Sequence, residues 1–396
     1  MNKLKDIHRK SPFEPGQIVS SDKFEGRKLV IKQIVRYSFH LSDDKIQYFL
    51  LYGQKGMGKT SLGKFLIEYL KDVYSMEGIY ISNNGNNNLE KFLNLIVESF
   101  LNKIPKNKLI DTLKSLFDNI DSLEIKGTKI NFKANEYEYS DVLYDFSFTL
   151  NKLISEITSQ PIFLVIDDID ELVTTKEFLI WFKTFLDTNN INFPLYILFI
   201  GDEESFDNFI AEYGLYFYGE LKQMDNAETY NFFKKSFESV NIECSDELLH
   251  TLTSFSSGFP LLMQEIGDSI FWRCENNVVT KDTIKSALLN IADKLAITQI
   301  RPVFDKINKK DYDKILLKIG EKNLYKFNRS DIINDFQEDI VDSFINDLYN
   351  EEILIKSRDR YHYLVDITFH GEKKEFEFND ILFFTYFLII AKYKNL

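Results

Sequence analysis

Apolar positions in the first half of the chain alternate between two rhythms. Over 28–41 they fall at helical spacing (Leu29, Ile31, Ile34, Val35, Phe39), and 48–52 is then a short apolar run that predicts a strand. A helix over 60–74 with Leu62, Phe65, Leu66, Tyr69 and Leu70 on one face, a strand over 78–82, and helices over 89–104 and 141–159 follow. The runs 162–166 and 195–200 are unbroken β-branched and aromatic stretches, the pattern of parallel strands buried on both faces. Short apolar strands alternating with helices up to about residue 205 predict a parallel sheet with right-handed crossovers. Between them, the Asn-rich stretch 83–88 reads as a polar loop without a role, and 123–135 alternates like an inserted hairpin centred on Gly127.

Beyond 205 the strand pattern stops. From 226 to about 294 only helical periodicity is present, interrupted at Ser256-Ser257-Gly258-Phe259-Pro260. Helices over 309–321, 329–336 and 338–350, followed by an alternating pair of strands over 353–365, give the order of a winged helix-turn-helix. The predicted organisation is a polar arm at 1–22 with Pro12, Pro15 and Gly16, a sheet domain at 23–205 with an insertion at about 105–140, a helical domain at 206–298, and a winged-helix-like domain at 299–396.

Composition narrows the class of protein. The 396 residues suffice for roughly two to three domains at the usual ~150 residues each. At 44% hydrophobic and 28% charged the chain is globular, and 36 Phe with 21 Tyr imply cores or an interface built from rings. The net charge of −13 repels phosphate backbones and anionic lipid, so any nucleic-acid contact must be local. Cys244 and Cys274, thirty residues apart, suggest neither a disulfide framework nor a zinc site and are expected as reduced thiols. The five histidines show no metal-ligand spacing. The first ten residues carry charge without a following apolar stretch, so no secretory leader is expected. The longest apolar run, 381–391, is eleven residues and short of the ~18 to 20 needed to cross a bilayer, so a buried helix, no membrane partner and a cytoplasmic location are expected.

The candidate chemistry lies at two strand ends. Gly53-Gln54-Lys55-Gly56-Met57-Gly58-Lys59-Thr60, followed by Ser61, fits G-x-x-x-x-G-K-[ST] between a predicted strand and a predicted helix. Glycines let successive backbone N–H groups turn inward as an anion nest, and the helix aims its positive end at the phosphates. Lys59 supplies a point charge to the β- and γ-oxygens, and the Thr60 hydroxyl is placed to ligate Mg²⁺. The strand 162–166 ends in Asp167 and Asp168, a Walker B pattern in which Asp167 holds the magnesium through water and Asp168 orients the attacking water. Both motifs sit at C-terminal strand edges, where open α/β sheets bind ligands.

With these motifs in place, the sequence resembles the AAA+ and STAND branch of P-loop ATPases, especially the archaeal-type and origin-recognition-like members. Ser11-Pro12-Phe13-Glu14-Pro15-Gly16 and Phe24-Glu25-Gly26-Arg27 look like that group's leading segment and G-R motif, and Gly258-Phe259-Pro260-Leu261-Leu262 looks like the G-x-P motif of its helical lid. The resemblance implies nucleoside contacts for Gly26, Arg27 and Pro260. It also implies an α/β fold with a P-loop parallel sheet flanked by helices, then a helical lid and a C-terminal winged-helix domain. Departures from motor members are visible: Asp168 stands where motors usually have Glu, which implies slow hydrolysis, and Gly201-Asp202-Glu203-Glu204 lacks the polar Asn, Thr or Arg of a sensor. None of the eight arginines falls in 213–225, where motors tend to carry a trans-acting one.

The C-terminal region bears on partners. Residues 301–396 hold 16 basic and 18 acidic side chains, or −2, and the predicted recognition helix carries Glu338, Asp339, Asp342 and Asp347, which phosphates would repel. Lys356, Arg358, Arg360 and His362 share one strand face, a small stripe that DNA could touch. The expected function is an ATP-binding, Mg²⁺-dependent, slow ATPase acting as a nucleotide-controlled switch on a protein partner or on self-assembly, with a defence or regulatory system as its setting. The alternatives are a DNA-binding loader or initiator, which is disfavoured by charge, and a nucleotide-binding scaffold without turnover.

Overall fold

The computed structural model describes residues 10–38, 46–104, 139–158, 160–188, 194–202, 205, 206, 209, 218–307, 312–356 and 375–393. The expected hairpin at 123–135, most of the insertion at 105–140, and Arg358, Arg360 and His362 lie outside them. The chain divides into two compact units, Ile18–Lys222 and a second made of Met1–Gln17 with Gln223–Leu396.

The first unit is a parallel sheet in the order β2-β3-β4-β1-β5, formed by β1 (Ile46–Tyr52), β2 (Glu77–Ser82), β3 (Ile162–Asp167), β4 (Leu195–Gly201) and β5 (Tyr218–Glu220). Every residue of β3 and β4 is buried, as their unbroken apolar runs require of strands covered on both faces. The helices are α1 (Lys28–Ser38), α2 (Lys59–Tyr74), α3 (Leu89–Leu101), α4 (Tyr139–Ile157), the short α5 (Asp170–Val173) and α6 (Lys176–Thr188). The expectation that strands end near 205 is corrected by β5: a three-residue Tyr-Gly-Glu segment carries no apolar run, and its pairing with Leu50, Leu51 and Tyr52 makes it a strand. Part of the aromatic richness of the chain lies in this core. Trp181 stacks on Phe185 with centroids 5.3 Å apart, and Phe182 meets Phe199 edge-on at 5.3 Å.

The second unit carries α7 (Asn226–Glu238), α8 (Asp246–Ser256), α9 (Pro260–Phe271) and α10 (Lys281–Leu295). A π-helical turn at Ala296–Ile300 leads into α11 (Arg301–Ile307). Residues up to Gln17 belong here rather than to the sheet unit they precede in sequence. The reason is Phe13, which is 3% exposed with its ring 5.3 Å from Phe237 and 5.8 Å from Phe232, while the Glu14 amide donates to Gln264 Oε1 at 2.8 Å. Next come α12 (Tyr312–Glu321), β6 (Lys326–Asn328), α13 (Arg329–Ile332), α14 (Glu338–Asn350), β7 (Leu354–Lys356), β8 (Glu375–Phe378) and α15 (Ile381–Tyr393). The three strands form an antiparallel sheet in the order β6-β8-β7. The apolar 381–391 run is the largely buried α15, with Phe383, Phe384, Phe387, Leu388 and Ile389 inside. Cys244 and Cys274 are free thiols. Among the described residues no helix is long and apolar enough to cross a membrane.

Candidate functional site

The chain leaves β1 at Tyr52 and turns through 53–58 into α2. Gly53 has φ 154°, and a Cβ there would lie 2.7 Å from the Leu221 carbonyl oxygen beyond β5, so only glycine fits. Gly58 caps α2 at φ 84°, and the Met57 amide donates to the Gln54 carbonyl at 3.3 Å, closing the loop tightly. The first-turn amides of α2 have no acceptor within the helix, the feature that makes a helix N-terminus an anion-binding site.

Lys59 turns its ammonium onto the loop, donating to the carbonyls of Gly53 and, at 3.3 Å, Gln54. Burial lowers its pKa, and the fields of Asp170, Asp167, Asp202 and Asp168 oppose that. The Thr60 side chain acts on the Asp167 carboxylate and lowers its pKa, so the two motifs face one another. Ser61 is buried and accepts the Val19 amide at 3.2 Å. The Met57 side chain is buried, while that of Lys55 is exposed.

At the end of β3, Asp167 is 2% exposed. Its Oδ1 accepts the Asp168 amide at 2.9 Å and its Oδ2 accepts the Tyr80 hydroxyl at 2.8 Å. Burial raises its pKa, and Thr60 and the hydrogen bond from Tyr80 pull it back. Asp168 is exposed and left-handed at φ 57°. Its Oδ2 accepts the Ser82 hydroxyl at 2.8 Å, and its carbonyl accepts Asn83 Nδ2 at 3.3 Å. Asn83, itself buried, also donates its amide to the Asp167 carbonyl at 2.8 Å. The Asn-rich loop, read from sequence as having no role, therefore braces the carboxylate pair.

A third carboxylate belongs to the site. Asp170 Oδ1 accepts the Asp202 amide at 2.5 Å, tying the end of β3 to the end of β4, and burial raises its pKa. It is the leading acidic influence on Lys59. Sequence reasoning missed Tyr80, Ser82, Asn83 and Asp170. Tyr80 and Ser82 were detectable as two polar-tipped residues two apart at the end of a predicted strand, and Asp170 as a further acid three residues beyond Asp167.

Arg27, for which the resemblance implies a nucleoside contact, is turned onto backbone here. Gly26 and Arg27 are successive left-handed residues at φ 81° and 64°, and the Arg27 guanidinium is buried against backbone, donating to the carbonyls of Met57 at 2.9 Å and Lys222. It props the phosphate-loop segment from behind. Pro260 belongs to the second unit, as the first residue of α9. There Gly258, left-handed at φ 73°, accepts the Met224 amide at 2.8 Å.

The donor set suits magnesium. A hydroxyl and a carboxylate are hard oxygen ligands, and Mg²⁺ is commonly held by one or two such groups together with phosphate oxygens and water. The cradle of glycines and helix amides suits a polyphosphate.

The Walker-type ATPase paby2304 of Pyrococcus abyssi is similar in structure, with a TM-score of 0.51 at 15% identity over 96% of this chain and 98% of that chain. The chain shares the fold of that Walker-type ATPase. That fold, a parallel sheet flanked by helices, agrees with the α/β architecture expected from the sequence. Lesser likenesses are found to Cdc6p of Pyrobaculum aerophilum (TM-score 0.46, 12% identity, 97% of each chain) and to the Orc1 protein of Aeropyrum pernix, solved in complex with DNA (0.44, 12%, 94% of each chain). Residues 33–200, less than half of the chain, match the family described as Nephrocystin 3, N-terminal. No curated protein matches significantly.

Proposed function

We propose that this P-loop ATPase-fold protein binds ATP with Mg²⁺, hydrolyses it slowly, and uses the nucleotide state to control binding of a protein partner or self-assembly. The observation that carries this is the glycine loop closed on Lys59, whose ammonium donates to the Gly53 and Gln54 carbonyls while the field of Asp167 at the end of β3 acts on it. Thr60 and Asp167 would hold the metal, which when bound neutralises charge on the transferring phosphoryl group. Lys59 would exchange its loop carbonyls for phosphate oxygens. Asp168, exposed and braced by Ser82 and Asn83, would orient water. Its carboxylate is one methylene shorter than a glutamate, which supports slow turnover.

We read 206–298 as a helical lid and 299–396 as winged-helix-like, the latter from its helix, strand, two helices and antiparallel strand order. The acidic α14 supports a protein partner over DNA. Arg329, the basic group that precedes it, is held by Asp342 (2.6 Å) and Glu338 (2.5 Å). Lys356 lies 5.6 Å over the Tyr349 ring.

The deciding experiment is titration calorimetry of the full chain with ATP and Mg²⁺. The wild type should bind and Lys59→Ala should not, whereas equal affinity of the two would overturn nucleotide binding at this loop. Mass measured with a non-hydrolysable ATP analogue then tests assembly, and an unchanged mass leaves partner binding as the output.

A further inference from the structure

We propose, on the nucleotide-binding reading above, that Tyr80 is a positioning residue for the metal-holding carboxylate. Its phenol fixes Asp167 so that one oxygen edge is presented to a nucleotide-bound magnesium ion. In the parallel β2–β3 pair Tyr80 stands opposite Val165 and Ser82 opposite Asp167. Tyr80 and Ser82 thus share a face, and a ring is long enough to reach from one pair to the next. The phenol ends 2.8 Å from Oδ2, while the Asp168 amide holds Oδ1 at 2.9 Å. Both donors are neutral, and both come from parts of the sheet other than the phosphate loop. When the Thr60 oxygen turns to a metal, these two bonds remain to keep the buried carboxylate in place. A carboxylate has about four acceptor sites, so lone pairs are left for a metal-bound water.

The ring is itself held. Lys64, one turn beyond Thr60 on α2, places its ammonium 4.9 Å from the Tyr80 centroid. The helix that begins at the phosphate loop therefore clasps the residue that clasps Asp167. A phenylalanine would keep the ring and this cation contact and remove only the hydroxyl, which bonds Asp167 and also feels Thr60.

Partners of this kind typically change metal affinity by about 10–100-fold. The test uses the full-length chain and a fluorescent ATP analogue, with affinity measured in chelator and over a magnesium series. In Tyr80→Phe the metal-free nucleotide affinity should equal wild type, while the magnesium concentration giving half of the metal-dependent tightening should rise about 10–100-fold. Lys64→Met, which loosens the ring without removing the hydroxyl, should shift it in the same direction by less. The thermal midpoint of Tyr80→Phe should stay near wild type. A magnesium half-point identical to wild type in both variants, or a metal-free affinity that falls in parallel, would overturn the proposal while leaving nucleotide binding intact. A wild-type chain that binds no nucleotide under either condition would overturn the nucleotide reading, and this inference with it.

Discussion

Ser82 donates its hydroxyl to Oδ2 of Asp168 at 2.8 Å, linking the last residue of β2 to the first residue past β3. Asp168 is held left-handed at this point, and its carbonyl is tied to Asn83. Asp168→Asn keeps an acceptor for Ser82 but loses the charge that orients water. Nucleotide affinity should be retained, while phosphate release in single turnover should slow about 10²–10⁴-fold, the usual worth of a general base. Unaltered release would assign the water to another group, with Asp170 the nearest candidate.

Gly53→Ala tests the loop's geometry. The added carbon would sit 2.7 Å from the Leu221 carbonyl oxygen at a φ of 154°, and backbone cannot step aside as a flexible side chain can. The strain should be on the order of 1–3 kcal/mol. Loss of fluorescent-nucleotide binding with the circular dichroism spectrum preserved is the expected result.

Phe13→Ala tests the assignment of the leading segment to the second unit. The ring is 3% exposed among Phe232, Phe233 and Phe237, and deleting it should destabilise by about 3–5 kcal/mol. A lowered calorimetric unfolding temperature is expected, and one matching wild type would show this packing to be dispensable.

Arg329 governs an acid-sensitive contact. Its guanidinium engages Asp342 through two bonds, at 2.6 and 2.9 Å, and this holds the Asp342 pKa below the ordinary carboxylate range. The folded pKa lies below the unfolded one, so the associated stability is present above about pH 4 and is lost as pH falls toward the folded value. In Arg329→Met, a carboxylate NMR titration should find Asp342 moved up to the ordinary range.

Much of the site was legible in sequence because its signals are local. A glycine loop between a strand and a helix, and two acids ending an apolar strand, are patterns within a few residues of each other, and Lys59, Thr60 and Asp167 meet in space as those patterns require. The residues that brace them were not legible. Tyr80 and Asp167 are separated by 87 positions, Ser82 and Asp168 by 86, and nothing in either neighbourhood names the other.

The sequence by itself determined the strands β1 to β4, the helices α1 to α4 and the phosphate loop, since apolar runs and glycines constrain the backbone wherever the chain goes. Tertiary structure alone decided three things: that Tyr-Gly-Glu at 218–220 becomes a fifth strand, that Phe13 packs with Phe232 and Phe237, and that Arg27 spends its charge on carbonyl oxygens. Each depends on partners distant in sequence, and a short or polar segment takes its conformation from the surface that receives it.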